Sequence, residues 1–196
     1  MATIANNLQL VRNRIQAACA QTGRPADSVT LLAVSKTFPA VTVRDAFHAG
    51  QRCFGENYVQ EALDKIAELA DLREQVTWHL IGPLQSNKTR VVAEHFDWVQ
   101  SVDRLKIAQR LSEQRPAGMA PLQLCLQVNV DGGPTKSGVA PAELPALAEA
   151  VASLPQLRLR GLMCIPEPAA GFEAQRAVFL QACALFDGLN ARGFGL

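Results

Sequence analysis

The chain has 196 residues, 48% hydrophobic, 19% charged and 6% aromatic, with a net charge of +1. That length and composition suit roughly one globular domain, able to bury roughly 70% of its unfolded surface, and exclude wholesale disorder. A balanced charge offers no basic face to nucleic acid, no apolar run approaches the roughly 18 residues of a membrane span, and residues 1–21 lack a signal-peptide core. The expectation is a cytoplasmic protein with neither nucleic-acid nor membrane partners.

Ile4, Leu8, Val11, Ile15 and Ala18 recur at steps of three and four, one stripe of a helix that Gly23 and Pro25 stop. Residues 29–34 form a short continuous apolar run, the pattern of a strand buried on both faces. The pattern then alternates. Helices are predicted over 42–49, 57–72, 87–95, 103–114 with Asp103 as cap, 141–153 and 172–191. Strands are predicted over 52–55, 77–81, 98–101, 122–130 and 157–165. In the last helix Phe172, Phe179, Cys183 and Phe186 align.

One leading helix and six β–α units imply parallel strands with right-handed crossovers. An open doubly wound sheet and a closed (β/α)8 barrel both satisfy this order. In both, function gathers in the loops after the strand C-termini. No G-x-G-x-x-G or G-x-x-x-x-G-K-[ST] follows the first strand, which removes the usual nucleotide signatures. Cys19, Cys53, Cys125, Cys164 and Cys183 are odd in number, widely spaced and embedded in apolar stretches. They read as reduced core thiols, with no metal site.

The strand ends carry the candidate chemistry. Lys36 directly follows the first apolar run. It is either the first residue of a surface loop or an amine at the mouth of the fold, available for a Schiff base. Asn57 follows the second strand as a helix cap or as an amide that contacts a ligand. His79 lies inside the third strand, either a satisfied core histidine or a pocket residue. Lys88 and Arg90 read as a solvated face. The loop 131–138 is polar and glycine-rich but lacks the pattern of a phosphate loop. Met163 and Ile165 share a face by period two, forming either plain core or an apolar wall against a flat ring.

Five strings stand in order along the chain: Ala33-Val34-Ser35-Lys36, Phe54-Gly55-Glu56-Asn57-Tyr58-Val59-Gln60-Glu61, Trp78-His79-Leu80-Ile81-Gly82-Pro83-Leu84-Gln85-Ser86-Asn87-Lys88, Lys136-Ser137-Gly138 and Gly161-Leu162-Met163-Cys164-Ile165-Pro166. Together they resemble the YggS/PROSC-type pyridoxal phosphate homeostasis proteins, from the first helix to the end of the chain. The resemblance implies an α/β fold, the (β/α)8 TIM barrel of the alanine racemase N-terminal-domain type. It implies pyridoxal 5′-phosphate (PLP) as cofactor, held by Lys36 as a Schiff base, with Asn57 against it. His79 and Met163 are assigned to the same pocket on strand geometry. Lys136 matches a family loop lysine associated with secondary PLP handling.

The implied function is PLP binding in intracellular vitamin B6 homeostasis, without robust catalysis. The implied partners are PLP and apo PLP-dependent enzymes, and the implied state is a monomer. PLP enzymes need a second acid or base to move a proton, and alanine racemases recruit it from another domain. A chain of 196 residues leaves no room for one, so a carrier is expected rather than an enzyme. Two other readings stand beside this one: a PLP-dependent, racemase-like enzyme acting on amino acids, and a barrel in which Lys36 is structural.

The sequence departs from the family in one respect. The family continues past the position of Leu196, with a seventh strand carrying Ser-x-Gly-Met-Ser and an eighth carrying Arg-x-Gly-Thr. These supply the phosphate cradle and the arginine at the pyridine nitrogen. Neither string occurs here, and Gly195-Leu196 resembles the start of strand seven. The expectation is therefore a single PLP-binding barrel domain over 1–196, C-terminally incomplete, with the last two strands missing. Losing two or three charge-assisted bonds to the phosphate would weaken binding by roughly 3–9 kcal/mol.

Overall fold

The computed structural model describes residues 3–133 and 136–196; Pro134 and Thr135 of the predicted loop lie outside them. Two compact units divide the chain, the first running to His79 and the second covering Leu80–Leu196. Each repeats the β–α alternation predicted from the sequence.

The first unit opens with α1, Ile4–Gln21, capped by the Thr3 side chain, which accepts from the Asn6 N–H at 3.2 Å. A short 3-10 turn, Ala26–Ser28, leads to β1, Ala33–Val34. Then come α2 (Ala40–His48), β2 (Cys53–Glu56), α3 (Val59–Glu68) and β3 (Thr77–Leu80). The strands stand in the order β1-β2-β3. β1 and β2 are parallel, with Ala33 opposite Phe54 and Val34 opposite Gly55. The core collects Val43, Phe47, Phe54, Ala62, Ile66 and Trp78. Phe54 and Trp78 pack at 5.9 Å between ring centroids, and each such side chain contributes roughly 1.5–3 kcal/mol by leaving water.

The predicted first strand is longer than the real one. Of residues 29–34 only Ala33 and Val34 pair, and Val29 and Val34 remain exposed. β1 stands at the end of the strand order, so one side has no partner strand. Leu31, Ala33 and Val34 instead line an apolar cleft of about 360 Å³ with Leu8, Val11 and Phe38. The run is thus half-buried to exposed here, not buried on both faces.

The second unit contains α4 (Thr89–His95), β4 (Trp98–Val102), α5 (Leu105–Gln114), β5 (Leu122–Gln127), α6 (Leu144–Ala152), β6 (Leu157–Met163) and α7 (Phe172–Asn190). β4, β5 and β6 are neighbours in that order and parallel. Leu122, Leu124 and Leu126 of β5 are wholly buried. Buried Arg115 donates to the Ala93 and Phe96 carbonyls at 2.6 and 2.8 Å, satisfying the C-terminal end of α4.

Three local expectations are corrected here. Asp103 does not cap α5; Arg104 takes that position without a side-chain cap bond, and Asp103 pairs with its guanidinium at 2.8 Å. The cysteines are not all core residues, since only Cys19 is buried and Cys183 is exposed. The cause is α7, whose sole buried residue is Leu189, so its aromatic stripe leaves Phe172 and Phe179 in solvent. Ile165 lies beyond the end of β6 and is exposed, so it does not continue a wall with half-buried Met163.

After β5 the chain makes one further parallel bridge, Val128 to Val139. Gly138 makes that approach possible. Its φ is +129°, and a Cβ there would lie 2.6 Å from the Asn129 nitrogen. No helix among the described residues is long and apolar enough to cross a membrane.

Candidate functional site

Lys36 stands two residues past β1 and is exposed. Its ε-amine makes no hydrogen bond or ion pair with the described residues. Its two neighbours, by contrast, are tied down. The β1–β2 register brings Ser35 beside Glu56, and the Ser35 N–H donates to the Gly55 carbonyl at 2.9 Å. The Ser35 hydroxyl donates to Glu56 Oε1 at 2.6 Å. Thr37 has φ +66°, a left-handed conformation that costs a β-branched residue on the order of 1–3 kcal/mol. Its N–H donates to Glu61 Oε1 at 2.6 Å.

Lys65 joins these groups from α3. Its ammonium donates to the Ser35 carbonyl at 2.6 Å, Glu56 Oε1 at 2.8 Å and Glu61 Oε1 at 2.6 Å. An ammonium has three N–H bonds, and all three are engaged. Glu56 is wholly buried and Lys65 nearly so. Such a pair persists only with good geometry and added hydrogen bonds, which the second carboxylate, Glu61, and the Ser35 carbonyl supply. The Lys65 ammonium first, and the Thr37 N–H also, hold the Glu61 carboxyl below its ordinary value of 4.5.

Asn57 follows β2 directly but caps nothing. Tyr58 occupies the cap position of α3, with no side-chain cap bond. The Asn57 Oδ1 atom is buried and has no hydrogen-bond partner. Buried polar atoms are normally satisfied, so this oxygen is left available as an acceptor. His79 is buried within β3, in the same unit as Lys36 and Asn57. Met163 lies in the second unit, at the end of β6 opposite Gln127 of β5. Lys136, also in the second unit, has its ammonium 3.5 Å from Glu167 Oε1. Lys88 and Arg90 are exposed, in line with a solvated face.

Sequence reasoning missed the roles of Ser35, Glu56, Glu61 and Lys65. A lysine in an amphipathic helix reads as solvated, and Lys65 is not. One signal was present: Lys65 shares its helix face with Ala62, Ile66 and Leu69, all buried, and stands four residues after Glu61.

The alanine racemase N-terminal domain family matches residues 2–193. A pyridoxal phosphate homeostasis protein of Pseudomonas aeruginosa is 64% identical over 190 residues, covering 97% of this chain and 82% of that protein. One from Escherichia coli strain K12 is 53% identical over 193 residues, covering 98% and 82%. Among solved structures, PipY of Synechococcus elongatus with PLP bound superposes with a TM-score of 0.80 at 41% identity, covering 97% of this chain and 83% of that one. The chain belongs to the alanine racemase N-terminal domain family, in its pyridoxal phosphate homeostasis branch. Its α/β fold with parallel strands is that family's fold.

Proposed function

We propose that residues 1–196 act as one PLP-binding domain in vitamin B6 homeostasis, with Lys36 as the residue that holds the cofactor covalently. The observation that carries this reading is an exposed, unengaged Lys36 amine on a strand end whose flanking residues are fixed, in a chain close to proteins named for PLP homeostasis. Bound PLP would supply an aldehyde that reacts reversibly with an amine. Lys36 would provide that amine, and the orphaned Asn57 oxygen would accept a hydrogen bond from the ring. His79, in the unit that holds Lys36 and Asn57, completes the proposed pocket. The domain serves as a carrier that releases PLP to apo-enzymes, acts as a monomer in the cytoplasm, and does not turn over amino acids.

Mixing the purified chain with PLP, trapping with borohydride and mapping peptides by mass tests this reading. The pyridoxyl mass is expected on the peptide containing Lys36, and Lys36→Ala is expected to reduce capture to background. A label spread over surface lysines, or none on Lys36, would overturn the assignment. Amino acids incubated with the loaded protein in deuterated water are expected to keep their α-hydrogens. Exchange there would move the reading to a racemase-like enzyme.

A further inference from the structure

Lys36 has no side-chain hydrogen bond or ion pair with the described residues to orient it, yet the backbone on each side is anchored by groups from β2 and α3. The two anchors meet at one atom, because Glu61 Oε1 accepts both the Thr37 N–H and the Lys65 ammonium. Lys65 in turn holds the Ser35 carbonyl. A helix-stabilising Glu–Lys pair four residues apart needs only its own helix. This pair also reaches the residue before Lys36 and the residue after it. Without the Glu61 oxygen, the Thr37 N–H loses the acceptor that holds this β-branched residue at φ +66°. Relaxation of Thr37 would turn the peptide that carries Lys36.

We propose that Glu61 and Lys65 are positioning residues for Lys36, fixing the Ser35-Lys36-Thr37 backbone so that the amine meets the PLP aldehyde in a productive pose. This rests on the PLP reading above. Capture of an aldehyde by an amine depends on approach geometry, so fixing the lysine's backbone raises uptake without touching the cofactor.

The test compares the parent with Glu61→Ala, Glu61→Gln and Glu61→Asp. The readouts are PLP trapped on Lys36 as a function of PLP concentration, hydrogen exchange at the Thr37 amide, and the unfolding midpoint. Glu61→Ala is expected to raise the half-saturating PLP concentration about tenfold, the worth of one hydrogen bond to a charged group. Thr37 exchange should accelerate by at least the same factor; the unfolding midpoint falls too, because Lys65 loses a carboxylate partner, so uptake is compared where parent and variant are both fully folded. Glu61→Gln keeps an acceptor oxygen and should restore both readouts. Glu61→Asp draws the carboxylate back by one methylene and should weaken uptake even if Glu61→Ala fails to fold. Parent-like uptake in Glu61→Ala or Glu61→Asp, with Thr37 exchange accelerated, would overturn the positioning role alone. No PLP on Lys36 of the parent would overturn the positioning role together with the functional reading, so the two failures are told apart.

Discussion

Lys65→Met is expected to lower the unfolding free energy by about 3–5 kcal/mol, the cost of leaving a buried ionic group without its partner. Methionine matches the lysine stem in length but donates nothing. Glu56 then keeps a wholly buried carboxylate whose Oε2 already has no partner and whose Oε1 retains only the Ser35 hydroxyl. The Ser35 carbonyl also loses the ammonium that bonded it at 2.6 Å. A urea titration reads this as a midpoint shift of more than about 1 M, given slopes of about 1–3 kcal/mol per molar urea. Adding Glu56→Gln in the same chain should recover part of the loss by removing the uncompensated charge. A Lys65→Met midpoint within error of the parent would show that the network contributes nothing to stability.

The same network sets an acid limit. Folding depresses the Glu61 carboxyl, chiefly through the Lys65 ammonium. The resulting stabilisation is complete above the unfolded value of 4.5 and fades as pH falls through the lower folded value. In Lys65→Met, stability should therefore fall less steeply over that window than in the parent, even though it starts lower.

Gly138→Ala is expected to cost about 3 kcal/mol or more. The added Cβ would lie 2.6 Å from the Asn129 nitrogen, 2.7 Å from the Val128 carbonyl carbon and 3.0 Å from the Gln127 oxygen, all backbone atoms. Backbone cannot swing away as a side-chain tip can. The segment is also pinned, since the Val139 N–H donates to Gln127 at 2.8 Å and the Asn129 N–H donates to Val139 at 3.0 Å. Gly132→Ala is the matched control. Its φ is +66°, but a Cβ there meets nothing within 4 Å, so it carries conformational strain alone, about 1 kcal/mol. Thermal midpoints and exchange at the Asn129 and Val139 amides separate overlap from strain. Equal effects of the two substitutions would show that the loop shifts freely and that the close approach is unimportant.

Much of this architecture was legible in the sequence. The helix stripes and the β–α alternation depend on periodicity, which survives tertiary context. Boundaries were less secure, because they depend on neighbours. Residues 29–34 carry the composition of a buried strand, but only two of them have a strand to pair with. Asp103 and Asn57 are ordinary cap residues by type, yet Arg104 and Tyr58 occupy the cap positions. At the candidate site, Lys36 and Asn57 were singled out because they follow strands. The Glu56–Lys65 pair was missed because burying a charge is costly, and only the assembled partners show how that cost is offset.

The full engagement of Lys65 has a chemical consequence. On the PLP reading proposed above, an aldehyde near the end of β1 would meet two lysines, only one of which has an amine without hydrogen bonds to the described residues. The Lys65 nitrogen is buried and engaged with three oxygens. Lys36 has no such engagement. On that reading the network would supply selectivity, because a second amine stands one residue from the Lys36 backbone with its nitrogen already engaged.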